Sequence, residues 1–298
     1  MQFYREDGES GGGGVSGAIW AIRTIGDEAA EAKEYGECEG ENVRLLGIDV
    51  GGTAIKSAIV ETETGTLCDA RQRVATPQPA TPEALAEALI RQIALHGWQG
   101  AVGIGFPAAI QHGVARTAAN IDAAFIDLPV ADYFSQATGC PCFVANDADA
   151  AGTAEMRFGA GHGHAGSEGG VVLIVTIGTG LGTAVFSGGR LLPNTELGHI
   201  FLDNGAEAER YASETVRVTR ALGWRSWGGR LNRYLCMMER LLWPDLIILG
   251  GGVSARLYKF APMLTLRAPV VAASFLNSAG IVGAALMAET NLLSGADA

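Results

Sequence analysis

A short apolar strand, a glycine-threonine turn and a second apolar strand occur twice in this chain, and that recurrence limits its fold more than any other feature. The first unit runs Leu45–Val50, Gly51-Gly52-Thr53, then Ala54–Val60. The second begins with Val171–Ile177 and turns through Gly178-Thr179-Gly180 into a strand opening at Leu181. Glycine supplies 42 of the 298 residues with no collagen-like period. That is about twice ordinary usage, so most of it must serve turns and close backbone approaches.

Each unit is followed by alternating helix and strand patterns, which predicts an α/β protein of two lobes with a cleft between them. In the first half Thr66–Val74 reads as a third strand. A helix is expected over Pro82–Leu95, with Thr81 as N-cap, proline at its first position and Gly97 past its end. Ala101–Phe106 and Cys142–Ala145 read as strands. Asp147–Phe158 reads as a helix carrying Ala150, Ala151, Ala154 and Phe158 on one face. In the second half helices dominate Glu207–Leu242, and a strand over Leu246–Leu249 precedes Gly250-Gly251-Gly252 and a helix. Asn277–Glu289 closes the chain as a helix. The lobes are accordingly placed at 44–145 and 146–276, with 277–298 packing back on the first.

Residues 1–43 carry ten acids, three bases and the glycine run Gly11–Gly14, without the apolar pattern of a core. They are expected to be a disordered extension or the product of a start assigned too early. The net charge of −11 argues against nucleic acid and anionic membranes as partners. No apolar run reaches the roughly 18 residues of a membrane span, and no signal peptide opens the chain. The five cysteines, Cys38, Cys68, Cys140, Cys142 and Cys236, are odd in number and scattered. That pattern suits a reducing cytoplasm better than a disulfide scaffold.

The first glycine turn has chemistry around it. Gly51 and Gly52 let backbone N–H groups face an anion closely, Thr53 adds a hydroxyl and Lys56 a point charge. Asp49, at the strand end, can hold Mg²⁺ directly or through water. Gly178, Thr179 and Gly180 repeat the design as a second phosphate clamp, or form a plain glycine-rich hairpin. Gly250, Gly251 and Gly252 either seat a nucleotide base or tighten a strand-helix junction. Two look-alikes fail on context. Gly161–Gly166 matches GxGxxG but follows a helix rather than a strand, and its two histidines lack a third metal ligand. Cys140 and Cys142 read as core thiols.

The polar residues of the second theme are those a small polyol needs, since hydroxyls require rigidly held donors and acceptors together. Asn146 and Asp147 sit where a strand turns into a helix. A carboxylate there either caps the helix or faces the cleft, where it would accept a proton from an attacking hydroxyl. Asn120 offers a carboxamide from a polar break, and Glu196 and His199 stand three residues apart around Gly198.

These motifs resemble one family. Asp49–Lys56 (DVGGTAIK), the Gly105–Pro107 turn, Asn146–Gly161 (NDADAAGTAEMRFGAG), Ile177–Gly182 (IGTGLG) and Glu196–His199 (ELGH) are similar in order and spacing to the ROK family of sugar kinases and repressors. The likeness is strongest to its polyphosphate glucokinase branch and runs from about Leu45 to Leu286. It implies two ribonuclease-H-like lobes of the actin-like ATPase and sugar kinase fold. It further implies Asp147 as catalytic base, and Asn120, Asn146, Asp147, Glu196 and His199 as sugar ligands. Ordinary members carry a zinc signature, CxCGxxGCxExYAS, after the ExGH motif. Here the stretch ends Glu209-Arg210-Tyr211-Ala212-Ser213 with no cysteine, so Glu209 is expected as a further sugar ligand and zinc is not expected. The implied reaction passes a phosphoryl group from polyphosphate, ATP or both to the 6-hydroxyl of glucose, with Mg²⁺ present. A cytoplasmic homodimer is the expected assembly. The rival readings are an ATP-dependent hexose kinase of the same family and a non-catalytic sugar sensor. Polyphosphate binding to a net acidic protein requires a local basic path, of which Lys56 is the firmest member; Arg157 and the other arginines are not placed by sequence.

Overall fold

The computed structural model describes residues 3–5, 20–22, 43–164 and 170–296. In the N-terminal tail, β1 (Phe3–Arg5) pairs antiparallel with β2 (Trp20–Ile22), and the other residues before 43 lie outside the described ones. The first large sheet comprises β3 (Arg44–Val50), β4 (Ala54–Glu61), β5 (Thr66–Leu67), β6 (Gln72–Ala75), β7 (Val102–Phe106) and β10 (Cys142–Asn146). A small hairpin, β8 (Ile110–Gln111) with β9 (Val114–Ala115), stands beside it. The second sheet holds β11 (Val171–Ile177), β12 (Leu181–Ser187), β13 (Arg190–Leu192), β14 (Leu246–Gly250) and β15 (Val270–Ala272).

Both sheets share one strand order. The opening strand sits in the middle, with its hairpin partner and the next strand antiparallel on one side and two later strands parallel on the other. Parallel neighbours need crossovers. In the first lobe these contain α1 (Pro82–Leu95) and α2 (Val130–Thr138). In the second, α4 (Ala208–Ala212), α5 (Glu214–Thr219) and α6 (Trp224–Leu242) serve the same need. The parallel strands β7 and β14 are buried at every residue, as strands covered on both faces must be.

α1 starts where its sequence signals place it, with Thr81 Oγ1 accepting the Ala84 N–H, and it buries Leu85, Leu89 and Ile93 on the first sheet. α6 buries Trp227, Leu231, Leu235 and Met238 on the second. Trp227 is sealed and its indole N–H donates to the carbonyls of Ala212 (3.0 Å) and Ser213 (3.1 Å), which pins α6 to the α4–α5 junction. Between the sheets lie α3 (Asp147–Phe158) and α7 (Ala279–Ala296). Ala154 joins Ile281, Val282 and Ala285 in one core, while Met156 packs with Val172, Ile174 and Phe186 in another. α3 thus touches both lobes, and a Cβ on Gly283 would collide with the Ala150 carbonyl, so the two helices cross in backbone contact. The buried Glu155 carboxylate accepts N–H groups from Ala160 (2.9 Å), Ser274 (3.0 Å) and Phe275 (2.7 Å), tying the end of α3 to the segment leading into α7.

Four details differ from the sequence reading. Thr66–Val74 is two short strands, because the Asp69 carboxylate takes the Ile59 N–H (2.8 Å) and the His96 ring, drawing the chain off the ladder. After Gly252 the chain makes 3₁₀ turns at Ser254–Lys259 and Ala261–Met263 rather than an α-helix, the second with Pro262 in it. The closing helix starts at Ala279 and runs to Ala296. Cys68 is disulfide-bonded, against the expectation of scattered thiols, since sequence spacing does not report which sulfurs meet. Cys140 and Cys142 are free and buried, as core thiols. The Gly159–Gly170 loop is described except at 165–169. Among the described residues no helix is long and apolar enough to cross a membrane.

Candidate active site

The two glycine turns face one another across a cleft of about 570 Å³ between the sheets. The first lobe lines it with Asp49, Gly51, Gly52, Thr53, Lys56 and Asn120. The β10–α3 junction adds Asn146 and Asp147, and the second lobe adds Gly178, Thr179, Gly180, Glu196, His199, Glu209 and Gly250, Gly251 and Gly252. Every residue of the expected phosphate, sugar and metal sites therefore borders one space, whereas Arg157 does not and pairs with Glu289 (2.9 Å).

The β10–α3 junction sorts the roles of its two polar residues. Asn146 is the cap: its side-chain oxygen accepts the N–H groups of Ala148 (2.9 Å) and Asp149 (3.1 Å). Its amide donates to the Ala108 carbonyl (3.1 Å) and the Glu196 carboxylate (3.3 Å), which fixes one wall of the cleft to the other. Asp147 is thereby relieved of capping. One of its oxygens takes the adjoining Ala148 N–H (2.8 Å), and the carboxylate borders the cleft. Desolvation by the surrounding protein, followed by the negative charge of Asp49, pushes its pKa up to about 7, with Glu196 and Asp149 adding to the shift. A carboxylate poised there can take a proton from a hydroxyl at neutral pH.

The Glu196–His199 turn is held against β12. Thr183 Oγ1 accepts the Leu197 N–H (3.1 Å), and a Cβ on Gly198 would run into the Leu181 carbonyl, so only glycine fits between the two acting residues. His199 Nδ1 lies 2.7 Å from the Glu207 carboxylate, and its Nε2 lies 3.6 Å from Glu196. The hydrogen bond to Glu207 is the main cause of a raised His199 pKa. Burial, reinforced by the charge of Glu209 and opposed by that of His199, raises the pKa of Glu196. Glu209 accepts the Leu181 N–H (2.9 Å), which places a carboxylate against the second glycine turn.

On the other side, Asp49 and Lys56 are direct partners across β3 and β4 and form an ion pair of 3.0 Å. The N-terminus of α7 abuts them, since a Cβ on Gly280 would stand 2.7 Å from the Asp49 carboxyl carbon. That helix end brings its positive dipole to the Asp49 side of the cleft. Asn120 is exposed at the mouth and faces Gly52.

Some contributors escaped the sequence reading. Glu207 stands where the zinc-signature pattern has its third cysteine, two residues before Glu209, and that count was the available signal. Arg71 and Arg73 also line the cleft. Asp149, buried and pushed up to about 7 chiefly by desolvation, accepts the Asn194 N–H (2.7 Å), and Asn194 in turn bonds both the N–H and the carbonyl of Ile110. This contact ties the β13 loop of the second lobe to the hairpin of the first. A further arrangement is only apparent: Ser57 Oγ lies 2.8 Å from His96 Nε2, with Asp69 on the other ring nitrogen, but Ser57 is fully buried and serves to hold α1 on the sheet.

Two sheets of one strand order, glycine turns facing across the gap and a buried carboxylate at the joint define the actin-like sugar kinase class. The chain belongs to the ROK family, whose pattern matches residues 45–216. It is 44% identical over 242 residues to a polyphosphate glucokinase of Mycobacterium tuberculosis, covering 81% of this chain and 89% of the relative. A polyphosphate glucokinase of Mycobacterium leprae is 40% identical, over 84% of this chain and 76% of that one. The crystal structure of an inorganic polyphosphate/ATP-glucomannokinase from Arthrobacter sp. strain KM superposes with a TM-score of 0.80 at 44% identity, covering 84% of this chain and 100% of that one. A ROK family glucokinase from Streptomyces griseus, in complex with glucose and AMPPNP, gives 0.71 at 28% identity, over 83% and 100%.

Proposed function

We propose that this protein phosphorylates glucose at its 6-hydroxyl, taking the phosphoryl group from inorganic polyphosphate and also from ATP. The observation that carries the reading is Asp147: Asn146 takes over helix capping, leaving Asp147 as a cleft carboxylate with its pKa near 7. The polyphosphate glucokinases and the glucomannokinase to which the chain is 44% identical support the choice of acceptor and donors.

Glucose sits between Asn120, Asn146, Glu196, His199 and Glu209, whose acceptors and donors pair with its hydroxyls. Asp147 takes the proton of the 6-hydroxyl as that oxygen bonds to the terminal phosphorus. The bridging oxygen leaves with the bonding pair, as a shortened polyphosphate or as ADP. Little other covalent chemistry falls to the protein, so the amides of Gly51–Thr53 and Gly178–Gly180 and the Lys56 ammonium serve to hold the phosphoryl in line and neutralise its spreading charge. For ATP, Gly250–Gly252 lie within the cleft to seat the base.

Asp49 presents an oxygen donor beside the first turn, 15% exposed and close enough to raise the Asp147 pKa, a hard-ligand setting of the kind Mg²⁺ takes. Bound there, Mg²⁺ would neutralise negative charge on the donor phosphates. Zinc is not expected, because Glu207 replaces a thiolate of the zinc-bearing pattern. The protein is expected to work in the cytoplasm as a homodimer, which sedimentation of the purified chain tests.

The deciding experiment is a coupled glucose 6-phosphate assay with polyphosphate and with ATP, each as sole donor and with Mg²⁺. Product from both supports the reading. Product from ATP alone, at low salt and with every chain length tried, would make the protein an ordinary ATP hexokinase of its family; no product from either would leave a sugar sensor.

A further inference from the structure

The permanent cations of the cleft are not spread around it. Among the described residues, Lys56, Arg71 and Arg73 are the lysines and arginines that line it, and all three belong to the first lobe. Among the described residues, the second lobe contributes Glu196, Glu209 and His199 to the lining but no lysine or arginine.

Strand register explains how they come together. Asp49 pairs with Lys56 across β3 and β4, and Lys56 pairs with Arg73 across β4 and β6. Directly opposed residues point to one face of a sheet, about 5 Å apart. Asp49, Lys56 and Arg73 thus form one row running outward from the first glycine turn, and Arg71, two residues before Arg73, borders the same space. The Lys56 charge is already met by Asp49. Arg73 is exposed and pairs with no carboxylate among the described residues. A cation left without a counter-charge on the wall of a phosphate-binding cleft is a place for an external anion.

We propose that Arg73, supported by Arg71, is a subsite for the phosphate chain that trails behind the reacting terminal group. This rests on the polyphosphate reading of the cleft and adds the course of the chain: from the Gly51–Thr53 turn past Lys56 and out along β6. The two donors then part company behind the shared terminal phosphoryl. ATP carries its base toward Gly250–Gly252 on the second lobe, while a linear polyphosphate, with no base to place, follows the cations of the first. Arg73 is accordingly a residue that discriminates between donors and takes no part in phosphoryl transfer.

The test is donor kinetics of R73A and R73K at saturating glucose, using long-chain polyphosphate and ATP on the same preparations. R73A is expected to raise the KM for polyphosphate about fivefold, the effect of one exposed charge pair, and to weaken its dependence on salt. R73K should recover most of that loss, and ATP kinetics should move less than twofold in both variants, which also reports correct folding. If R73A uses polyphosphate with wild-type KM and salt dependence, or loses ATP and polyphosphate equally, the subsite is wrong while the polyphosphate reading stands. If the wild type itself makes no glucose 6-phosphate from polyphosphate, the donor reading has failed first and the subsite falls with it.

Discussion

The two glycine turns share a frame and differ in charge. In the first lobe the paired positions one step out from the turn are Asp49 and Lys56; in the second they are Thr176 and Gly182. One turn is therefore flanked by an ion pair and the other by a hydroxyl and no side chain at all. The reason lies in what each must accommodate. A Cβ on Gly182 would stand 2.5 Å from Thr176 Oγ1 and 2.9 Å from Ala148 Cβ at the start of α3, so position 182 goes without a side chain where Thr176 and the helix bearing Asp147 come close. The first turn is abutted instead by the N-terminus of α7 at Gly280 and keeps its charges. On the proposed reading, the duplicated topology is divided between a turn that meets the donor's charge and a turn that sets geometry.

The largest expected effect falls at the joint of the two lobes. Asp147→Asn should lower kcat by roughly 10²–10⁴, the range for a lost general base, with either donor, while glucose affinity stays within a few-fold. A loss confined to glucose KM would mean that Asp147 only binds sugar. Next comes a direct contrast of the turns. Lys56→Ala removes a charge-assisted contact and should cost about tenfold or more in kcat/KM for both donors, whereas Thr179→Ala removes a neutral hydroxyl and should cost about threefold. Equal losses would erase the distinction between a charged and a neutral turn.

Gly180→Ala sharpens the geometric side. Its Cβ would strike the Glu209 carboxylate, forcing that side chain away from the Leu181 N–H. Glucose KM should rise several-fold, and by more than donor KM, in steady-state kinetics; an unaltered glucose KM would remove Glu209 from the sugar site. The smallest effect is expected at Glu207→Gln. Glutamine can still accept from His199 Nδ1, but the charge that favours the imidazolium is gone, so the His199 titration followed by NMR should move to lower pH. An unchanged midpoint would show that Glu207 does not govern that ring.

Local signals carried much of this structure into the sequence. The glycine turns, the α1 cap at Thr81 and the limits of α3 each rest on residues adjacent in the chain, and so are legible there. The split of Thr66–Val74 is not, because it follows from Asp69 reaching Ile59 and His96, which lie 10 and 27 residues away. The same holds for Arg73, which becomes a neighbour of Lys56 only through strand register. In the site, residue types were legible and their division of roles was not: whether Asn146 or Asp147 caps α3 depends on where the helix axis settles. The pKa of Asp147 is a property of burial and of Asp49, a residue 98 positions earlier in sequence.

That last property carries the central claim, that a carboxylate made weakly acidic by the meeting of two lobes is the base for transfer to sugar. It is tested most directly by the pH dependence of kcat/KM for glucose at saturating donor, with product measured after quenching. Because the base must be ionised, activity should be high above pH 7 and fall as pH drops, with a midpoint near the Asp147 value of about 7. The small residual activity of Asp147→Asn should lack that limb. A wild-type profile flat from pH 8 to 5, or an acid limb that persists unchanged in Asp147→Asn, would contradict the account.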